Sequence, residues 1–502
     1  MQQVLHRRFL VLLLLLGIVL GVLIGSGQIR CYDVWWHLRL GQDILRTGKI
    51  SLYDEYSHTA TGNFRPPQQW LFEVLEAGVY SLGEDSALVG LRTVLAAIAL
   101  VVLGFILVRR NCSYLLTAVL LVLVASASMP SITCRPHLML PLLLLALVSL
   151  LEGSGRRPWL QWLVPLVFVL WANTHASFTV GLAIVGAWML HRAVGSPERL
   201  ADGIRLSVAG FVQGMLVLLG SLAACLVNPV GVGLLLYSLK YLPGGEYAFH
   251  AKVIQEWRPA PLGTLELAAA TLILVGGGLV MLLRIRRVSL FGLLAAALML
   301  MMGMRWGRAI MHSAVVMAWI AAPVISEWLR EVSPTLLGWS VRSKMAPERL
   351  LAPALIVISL LGIVSIYRPV RAKAELNRNV HPPIAAVAWV EAHRPQGNMY
   401  NPYQWGGYLI HRLYPRYRVF IDGRVDMYGT QVFNDWMAIR DAKPNWEQIA
   451  AKYGVEWGIV EPRFPLARAV TGWGKWAAVY RDNQVLIFVR RDGPNAALVG
   501  GS

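Results

Sequence analysis

Residues 31–39 read Cys31-Tyr32-Asp33-Val34-Trp35-Trp36-His37-Leu38-Arg39. The polar stretch that they open runs through Asp43, Asp54, Glu55 and His58 to Gln68-Gln69-Trp70-Leu71-Phe72-Glu73. On both sides lie runs of Leu, Val, Ile and Ala long enough to span a bilayer. A segment dense in acids, histidines and tryptophans between such runs belongs at a membrane face, and it is where chemistry is to be sought. This reading sets the fold class: a polytopic α-helical membrane protein.

Composition agrees. Of 502 residues, 56% are hydrophobic and 15% charged, and the mean hydropathy is +0.53. A soluble protein of this length has no way to cover that much apolar surface. The net charge of +18 is read first as cytoplasmic Lys and Arg that orient the helices, and nucleic acid is not implied. Spans are expected at 9–26, 87–108, 114–130, 138–152, 160–174, 177–194, 206–227, 263–283, 288–304, 309–327 and 350–367, about eleven in all. His6-Arg7-Arg8 before an apolar run with no small-residue cleavage site reads as a signal anchor. Arg7 and Arg8 put the N-terminus in the cytoplasm. Alternation then puts Arg109-Arg110, Arg156-Arg157, Arg192 to Arg205, Arg284-Arg286-Arg287 and Arg342 to Arg349 on that same side.

The opposite, outer face then holds the 27–86 loop, Thr133-Cys134-Arg135-Pro136-His137, the 228–262 loop and everything after residue 369. The junctions Trp171-Ala172-Asn173-Thr174-His175 and Met304-Arg305-Trp306-Gly307-Arg308 fall there too. Two domains are expected: a membrane domain over 1–369, with 27–86 as its first outer loop, and an extracytoplasmic domain over 370–502. Within the loop, Trp36, Leu40 and Ile44 share one face of an interfacial amphipathic helix ended at Thr47-Gly48-Lys49. A second helix runs from Trp70 to Leu82. In the C-terminal domain, helices at Pro383–Arg394 and Trp446–Tyr453 alternate with strands at Arg418–Asp422 and Gly458–Val460. A hairpin over Ala477–Arg490 turns at Asp482-Asn483, so the domain is a small α/β unit.

Asp33, beside Trp35, Trp36 and His37, suits a general base or a ligand for a divalent cation. It equally suits a helix-capping residue in an interfacial aromatic belt. Asp54 and Glu55 are weaker ligand candidates and also read as a solvated turn, with Arg39 nearby on the first helix. Arg135 with His137, and Arg305 with Arg308, suit an anionic group such as a lipid phosphate, against snorkelling or a structural ion pair. Asn173 and His175 read as a buried hydrogen-bonded pair, and Glu256 faces the same cavity or forms a loop ion pair. Trp405-Gly406-Gly407-Tyr408 reads as close backbone packing, and Asp422, Arg424 and Asp426 as a structural charge network. No Ser-His-Asp set, phosphate-binding glycine loop or zinc spacing is present. Cys31 and Cys134 share the outer side, though no spacing pairs them.

With these residues in hand, the chain resembles the GT-C superfamily of membrane glycosyltransferases. Asp33-Val34-Trp35-Trp36-His37-Leu38-Arg39 after the first span is similar to the Asp-x-Trp/Tyr-Phe-Asn-Tyr-Arg opening of the oligosaccharyltransferase catalytic subunit. Protein mannosyltransferases and aminoarabinose transferases also carry a functional acid there. Gln404-Trp405-Gly406-Gly407-Tyr408, followed by Arg418 and Asp422, resembles that subunit's Trp-Trp-Asp-Tyr-Gly segment. It lacks the segment's Asp, which argues against an asparagine-sequon oligosaccharyltransferase.

The resemblance implies an inverting transfer, in a bacterial inner membrane, from a polyprenyl-phosphate sugar to a glycan, lipid or protein acceptor. Asp33 would act on the acceptor, and Arg135, Arg305 or Arg308 on the departing phosphate. Mg²⁺ or Mn²⁺ would bind through Asp33 with Asp54 or Glu55, and the tryptophans would stack on sugar. The rival is a non-catalytic scaffold or transporter in envelope polysaccharide assembly. A transporter would show interrupted helices at matching positions of two halves, and none is evident.

Overall fold

The computed structural model describes residues 2–29, 31–195, 206–241, 255–259, 265–332, 382–472 and 474–500. The chain divides into two compact units. One comprises 1–29 with 83–372, the other 30–82 with 373–502. The first loop, expected as an appendage of the membrane domain, thus folds with the C-terminal residues.

In chain order the helices are α1 (Gln2–Gly25), α2 (Val34–Thr47), α3 (Trp70–Arg109), α4 (Tyr114–Ser128), α5 (Leu140–Gly153), α6 (Val164–Thr174), α7 (Phe178–Ala193), α8 (Val208–Ala224) and α9 (Val232–Leu239). They continue as α10 (Leu265–Thr271), α11 (Gly277–Leu283), α12 (Leu290–Arg305), α13 (Ile310–Val332), α14 (Ile384–His393), α15 (Gly406–Leu413), α16 (Val425–Arg440), α17 (Trp446–Lys452) and α18 (Pro465–Thr471).

In the first unit, the helical segments match the expected spans to within a few residues, and the expected span 350–367 lies outside the described residues. Among the described residues, five helical segments are long and apolar enough to cross a membrane: Arg7–Gly25, Trp70–Arg109, Tyr114–Ser131, Pro136–Gly153 and Gly307–Val332. Shorter apolar helices of this unit are Phe178–Ala193, Val208–Ala224, Leu267–Leu283 and Leu290–Arg305. Helix α13 forms the centre, with nearly every residue from Ile310 to Ala322 buried. Helix α1 lies against the later part of α3 at close range, because Gly21 and Gly25 leave no side chain to collide with the backbone of Ala97 and Thr93. Arg92, buried on α3, donates to the carbonyls of Gly25 (2.7 Å) and Gly27. It thereby satisfies carbonyls that the end of α1 leaves without helical partners.

Helix α3 is broken where the two units divide. Gly83 (φ 176°, ψ 30°) and Glu84 (φ 49°, ψ −137°) are non-helical, so the helix expected over Trp70–Leu82 ends there and the following span begins after it.

The second unit is built on a four-stranded mixed sheet in the order β1-β2-β4-β3. The strands are β1 (Asn398–Tyr400), β2 (Val455–Val460), β3 (Trp476–Arg481) and β4 (Leu486–Arg490), with β1 parallel to β2 and the other pairs antiparallel. The expected helices after Pro383 and from Trp446 form, as does the hairpin, in which the Asp482 carboxylate accepts from the Gln484 and Val485 amides at 2.7 Å each.

Arg418–Asp422 is not a strand of this sheet. The Asn401 side chain pins that segment by accepting from the Phe420 amide (2.7 Å) and donating to the Ile421 carbonyl (2.8 Å). Val419 makes a single parallel bridge to Ser57 of the first loop. With those groups taken, no ladder forms.

Helix α2 ends as expected at Gly48, whose φ of 66° is the left-handed cap that glycine permits. Its apolar face is turned into the protein. Val34 to Leu38, Leu40 and Gly41 are buried, and α2 packs on α15. Gly407 sits against the Tyr32 carbonyl and Trp36, while a side chain at Gly41 would overlap the Glu73 carbonyl.

Candidate functional site

Asp33 stands at the N-terminal cap of α2, but its side chain makes no capping hydrogen bond. The carboxylate instead lies against Gly423, in the space that a Cβ there would take, with the Trp36 indole nitrogen at 3.0 Å from that same position. Gly406, in the tryptophan-glycine segment, is packed as closely on Ile421 and Asp422. Thus the first-loop motif and the later Trp405-Gly406-Gly407-Tyr408 segment meet around residues 421–423, as close-packing glycines allow. Beside Asp33, burial pushes the Tyr32 phenol up to about 12, with the Glu461 charge adding to it. Glu461 is itself buried, accepts from Gln404 and pairs with Arg463 at 2.7 Å.

Next to Gly423, charged side chains are tied together. Arg424 Nε and Nη2 form a bidentate pair with Asp422 (2.8 and 2.6 Å), and Nη1 lies 2.8 Å from Asp54. The Tyr428 hydroxyl donates to Asp422 at 2.5 Å. Burial opposes the charge of Asp422, and Arg424 with Tyr428 outweighs it, holding the carboxyl below its usual range. Asp426, the third member expected here, is instead pushed up by burial, which Arg65 only partly offsets.

Asp54 is a structural acid. One oxygen faces Arg424 and the other accepts from the Ser57 amide (3.0 Å) and hydroxyl (2.6 Å). Glu55 is exposed and accepts from the Ser51 hydroxyl at 3.4 Å. Neither joins Asp33 as a metal ligand, and among the described residues no three His, Cys, Asp or Glu side chains are grouped to hold a metal ion. The residues therefore do not fit the divalent cation that the family resemblance raises.

Other first-loop candidates serve packing. His37 is buried against Glu73 (3.1 Å), which also pairs with Arg65 at 3.0 Å. Arg39 bonds Asp43 (2.9 Å) and the Tyr414 carbonyl (3.2 Å). Trp35 is buried edge-on against Tyr408, with ring centroids 5.3 Å apart, and Trp36 is buried too, so neither offers an open face for a sugar. Arg65 and Glu73, which hold this cluster together, carry no local sequence signal.

The first unit holds a separate basic cluster. Arg135 donates to both oxygens of Glu256 (3.0 and 3.2 Å). The Arg308 guanidinium lies over Trp257 at 4.7 Å, and the Gly307 amide donates to the Arg258 carbonyl at 2.9 Å. His137 bonds the Ser131 carbonyl through Nε2 at 2.7 Å, and the His175 ring nitrogen Nδ1 bonds the Ser177 hydroxyl at 2.8 Å. The charges of Arg135 and Arg308 reach His137 and His175, and that of Arg308 reaches His312. His312 is buried, and its Nδ1 has no hydrogen-bond partner among the described residues.

These side chains come from three helix starts: Arg135-Pro136-His137 leads into α5, His175 into α7, and Arg308 and His312 flank the first residue of α13. Helix N-termini carry partial positive charge and unpaired amides, so the arrangement favours an anion. From the sequence, Asn173 and His175 are expected as a bonded pair. Asn173 donates to the carbonyls of Val169 (2.8 Å) and Val227 (2.6 Å). Arg305 is exposed on the last turn of α12, and no contact among the described residues brings it into the cluster. The four cysteines are thiols.

No protein-family model matches the sequence, and no curated protein matches it. Solved structures do match. The archaeal oligosaccharyltransferase AglB from Archaeoglobus fulgidus, in complex with an inhibitory peptide and a dolichol-phosphate, is 12% identical with a TM-score of 0.65, over 91% of this chain and 70% of that one. The same enzyme in complex with Zn and sulfate gives 12% and 0.57, over 89% and 68%. ArnT from Cupriavidus metallidurans, bound to undecaprenyl phosphate, gives 13% and 0.50, over 98% of both chains. The likeness is one of fold: the chain shares the fold of these proteins, and among its described residues five helical segments are long and apolar enough to cross a membrane.

Proposed function

We propose that this protein is an inner-membrane glycosyltransferase that moves a sugar from a polyprenyl-phosphate donor to an envelope acceptor at the outer face. The observation that carries the reading is the convergence of Arg135, His175, Arg308 and His312 at three helix starts, an arrangement suited to a lipid phosphate. AglB and ArnT were solved with dolichol-phosphate and undecaprenyl phosphate respectively, which supports that ligand class.

In this reading Asp33 takes the proton of the acceptor hydroxyl as its oxygen attacks the anomeric carbon. The bond from that carbon to the phosphate oxygen breaks, and the phosphate leaves with the electron pair. A single displacement inverts the anomeric centre. Within the first unit, Arg135 and Arg308 supply the cationic donors that suit a lipid phosphate. The cytoplasmic N-terminus and outer C-terminal unit follow from the distribution of basic residues.

The test is transfer of labelled sugar from a short-chain polyprenyl-phosphate donor to envelope extract, by purified full-length protein. Wild type is expected to transfer and Asp33→Asn to fail. Equal rates would remove Asp33 from the mechanism. No transfer by wild type, with individual alanine variants at Asp33, Arg135 and Arg308 all supporting polysaccharide assembly in cells, would favour the scaffold.

A further inference from the structure

The basic cluster of the first unit has a charge balance that disfavours a metal ion. Its charged members are Arg135, Arg308 and Glu256, and Glu256 is the one carboxylate among the described residues of the cluster. Both of its oxygens already accept from Arg135. Mg²⁺ and Mn²⁺ require several oxygen ligands, most often carboxylates and waters. Two guanidiniums beside the site repel a dication, and the three helix starts add partial positive charge. In the second unit the next two acids after Asp33 are already engaged: Asp43 accepts from Arg39, Arg46 and Tyr56, and Asp54 is consumed by Arg424 and Ser57. The same features that reject a cation accept a phosphate. A guanidinium supplies a planar fork of donors, and His312 contributes a buried ring nitrogen with no partner among the described residues.

We propose that this chain binds its polyprenyl phosphate without a divalent cation, with Arg135, Arg308 and His312 supplying the charge and hydrogen bonds that a metal would otherwise provide. The inference rests on the donor reading above, and extends it by naming the counter-charge and a third phosphate contact. His312, about one helical turn beyond Arg308, would add its ring nitrogen from α13.

The experiment measures binding of undecaprenyl phosphate to the full-length protein in nanodiscs, by native mass spectrometry and by quenching of tryptophan fluorescence. It is run in EDTA, in Mg²⁺ and in Mn²⁺. The expected result is the same affinity in all three. Arg308→Ala and His312→Leu should each weaken it about tenfold or more, the scale of one charge-assisted hydrogen bond, with no rescue by added metal. Arg308→Lys and His312→Gln, which keep a charge or a donor, should recover part of the loss and so separate a lost contact from a failed fold. Binding that vanishes in EDTA and returns with Mn²⁺ would overturn the metal-free inference and leave the donor reading standing. No binding in any condition, by a protein with a normal melting transition, would overturn both.

Discussion

The Asp33 carboxylate occupies the space beside the Gly423 backbone that a side chain at 423 would fill. A residue of the first loop and one nearly four hundred positions later therefore fix each other. Gly423 is not among the residues with positive φ, so alanine is acceptable to the backbone there. The nearest atoms that a new Cβ would meet belong to Asp33 and Trp36. Gly423→Ala is expected to leave the unit folded, displace the carboxylate, and lower sugar transfer by about a hundredfold, the scale of an ångström-size misplacement. Transfer at the wild-type rate, with an unchanged melting temperature, would mean that the position of Asp33 is immaterial.

Asp33→Asn separates chemistry from capping. An aspartate that caps a helix contributes about 1 kcal/mol, but the Asp33 side chain makes no such bond. The variant should therefore melt within a degree or two of wild type while transfer falls by about two to four orders of magnitude, the range for loss of a general base. A clear drop in melting temperature would return Asp33 to a structural role.

Arg424 is buried and serves both Asp422 and Asp54. Arg424→Gln leaves two buried acids without their counter-charge, at a cost of about 3–5 kcal/mol. The pH dependence follows from Asp422. Its folded value is held below the ordinary carboxylate range, so the stabilisation is fully present above the unfolded pKa of about 3.9. It is lost as pH falls through the lower folded value. The difference in melting temperature between wild type and variant should thus be largest near neutral pH and shrink in acid. A difference independent of pH would place the stabilisation elsewhere than in this pair.

What the sequence reveals here is mostly what one segment decides for itself. The spans follow from apolar length, and α2 from the spacing of Trp36, Leu40 and Ile44 with a glycine after the last turn. The burial of α2 is not local. It depends on Gly41 meeting the chain at Glu73, and on Gly407 meeting Tyr32 and Trp36, contacts that no periodicity records. The Asp422–Arg424 pair is legible because the two residues are neighbours, whereas its third member, Asp54, arrives from the far end of the sequence. Arg418–Asp422 misleads because its apolar alternation looks like a strand, while Asn401 and the first loop supply its backbone partners. His312 is readable only as a histidine inside an apolar helix, one turn from Arg308.

Arg305 and Arg308 give the sharpest contrast between sequence and structure. They are three residues apart, and spacing alone treats them as equivalent ligands for a phosphate. The chain breaks between them. Trp306 is extended, at φ −135° and ψ 118°, which ends α12 with Arg305 on its last turn. Gly307 then begins the turn into α13, and Arg308 stands over Trp257 within reach of His175 and His312. Arg305→Ala should leave the affinity for undecaprenyl phosphate unchanged, because an exposed arginine on a helix end contributes little. Arg308→Ala should weaken it about tenfold or more. The two variants carry the same change in net charge, so a general electrostatic effect on an anionic lipid would weaken both alike. Equal losses, read by titration of nanodiscs at matched ionic strength, would dissolve the distinction, and a loss confined to Arg308 would tie the phosphate to the start of α13.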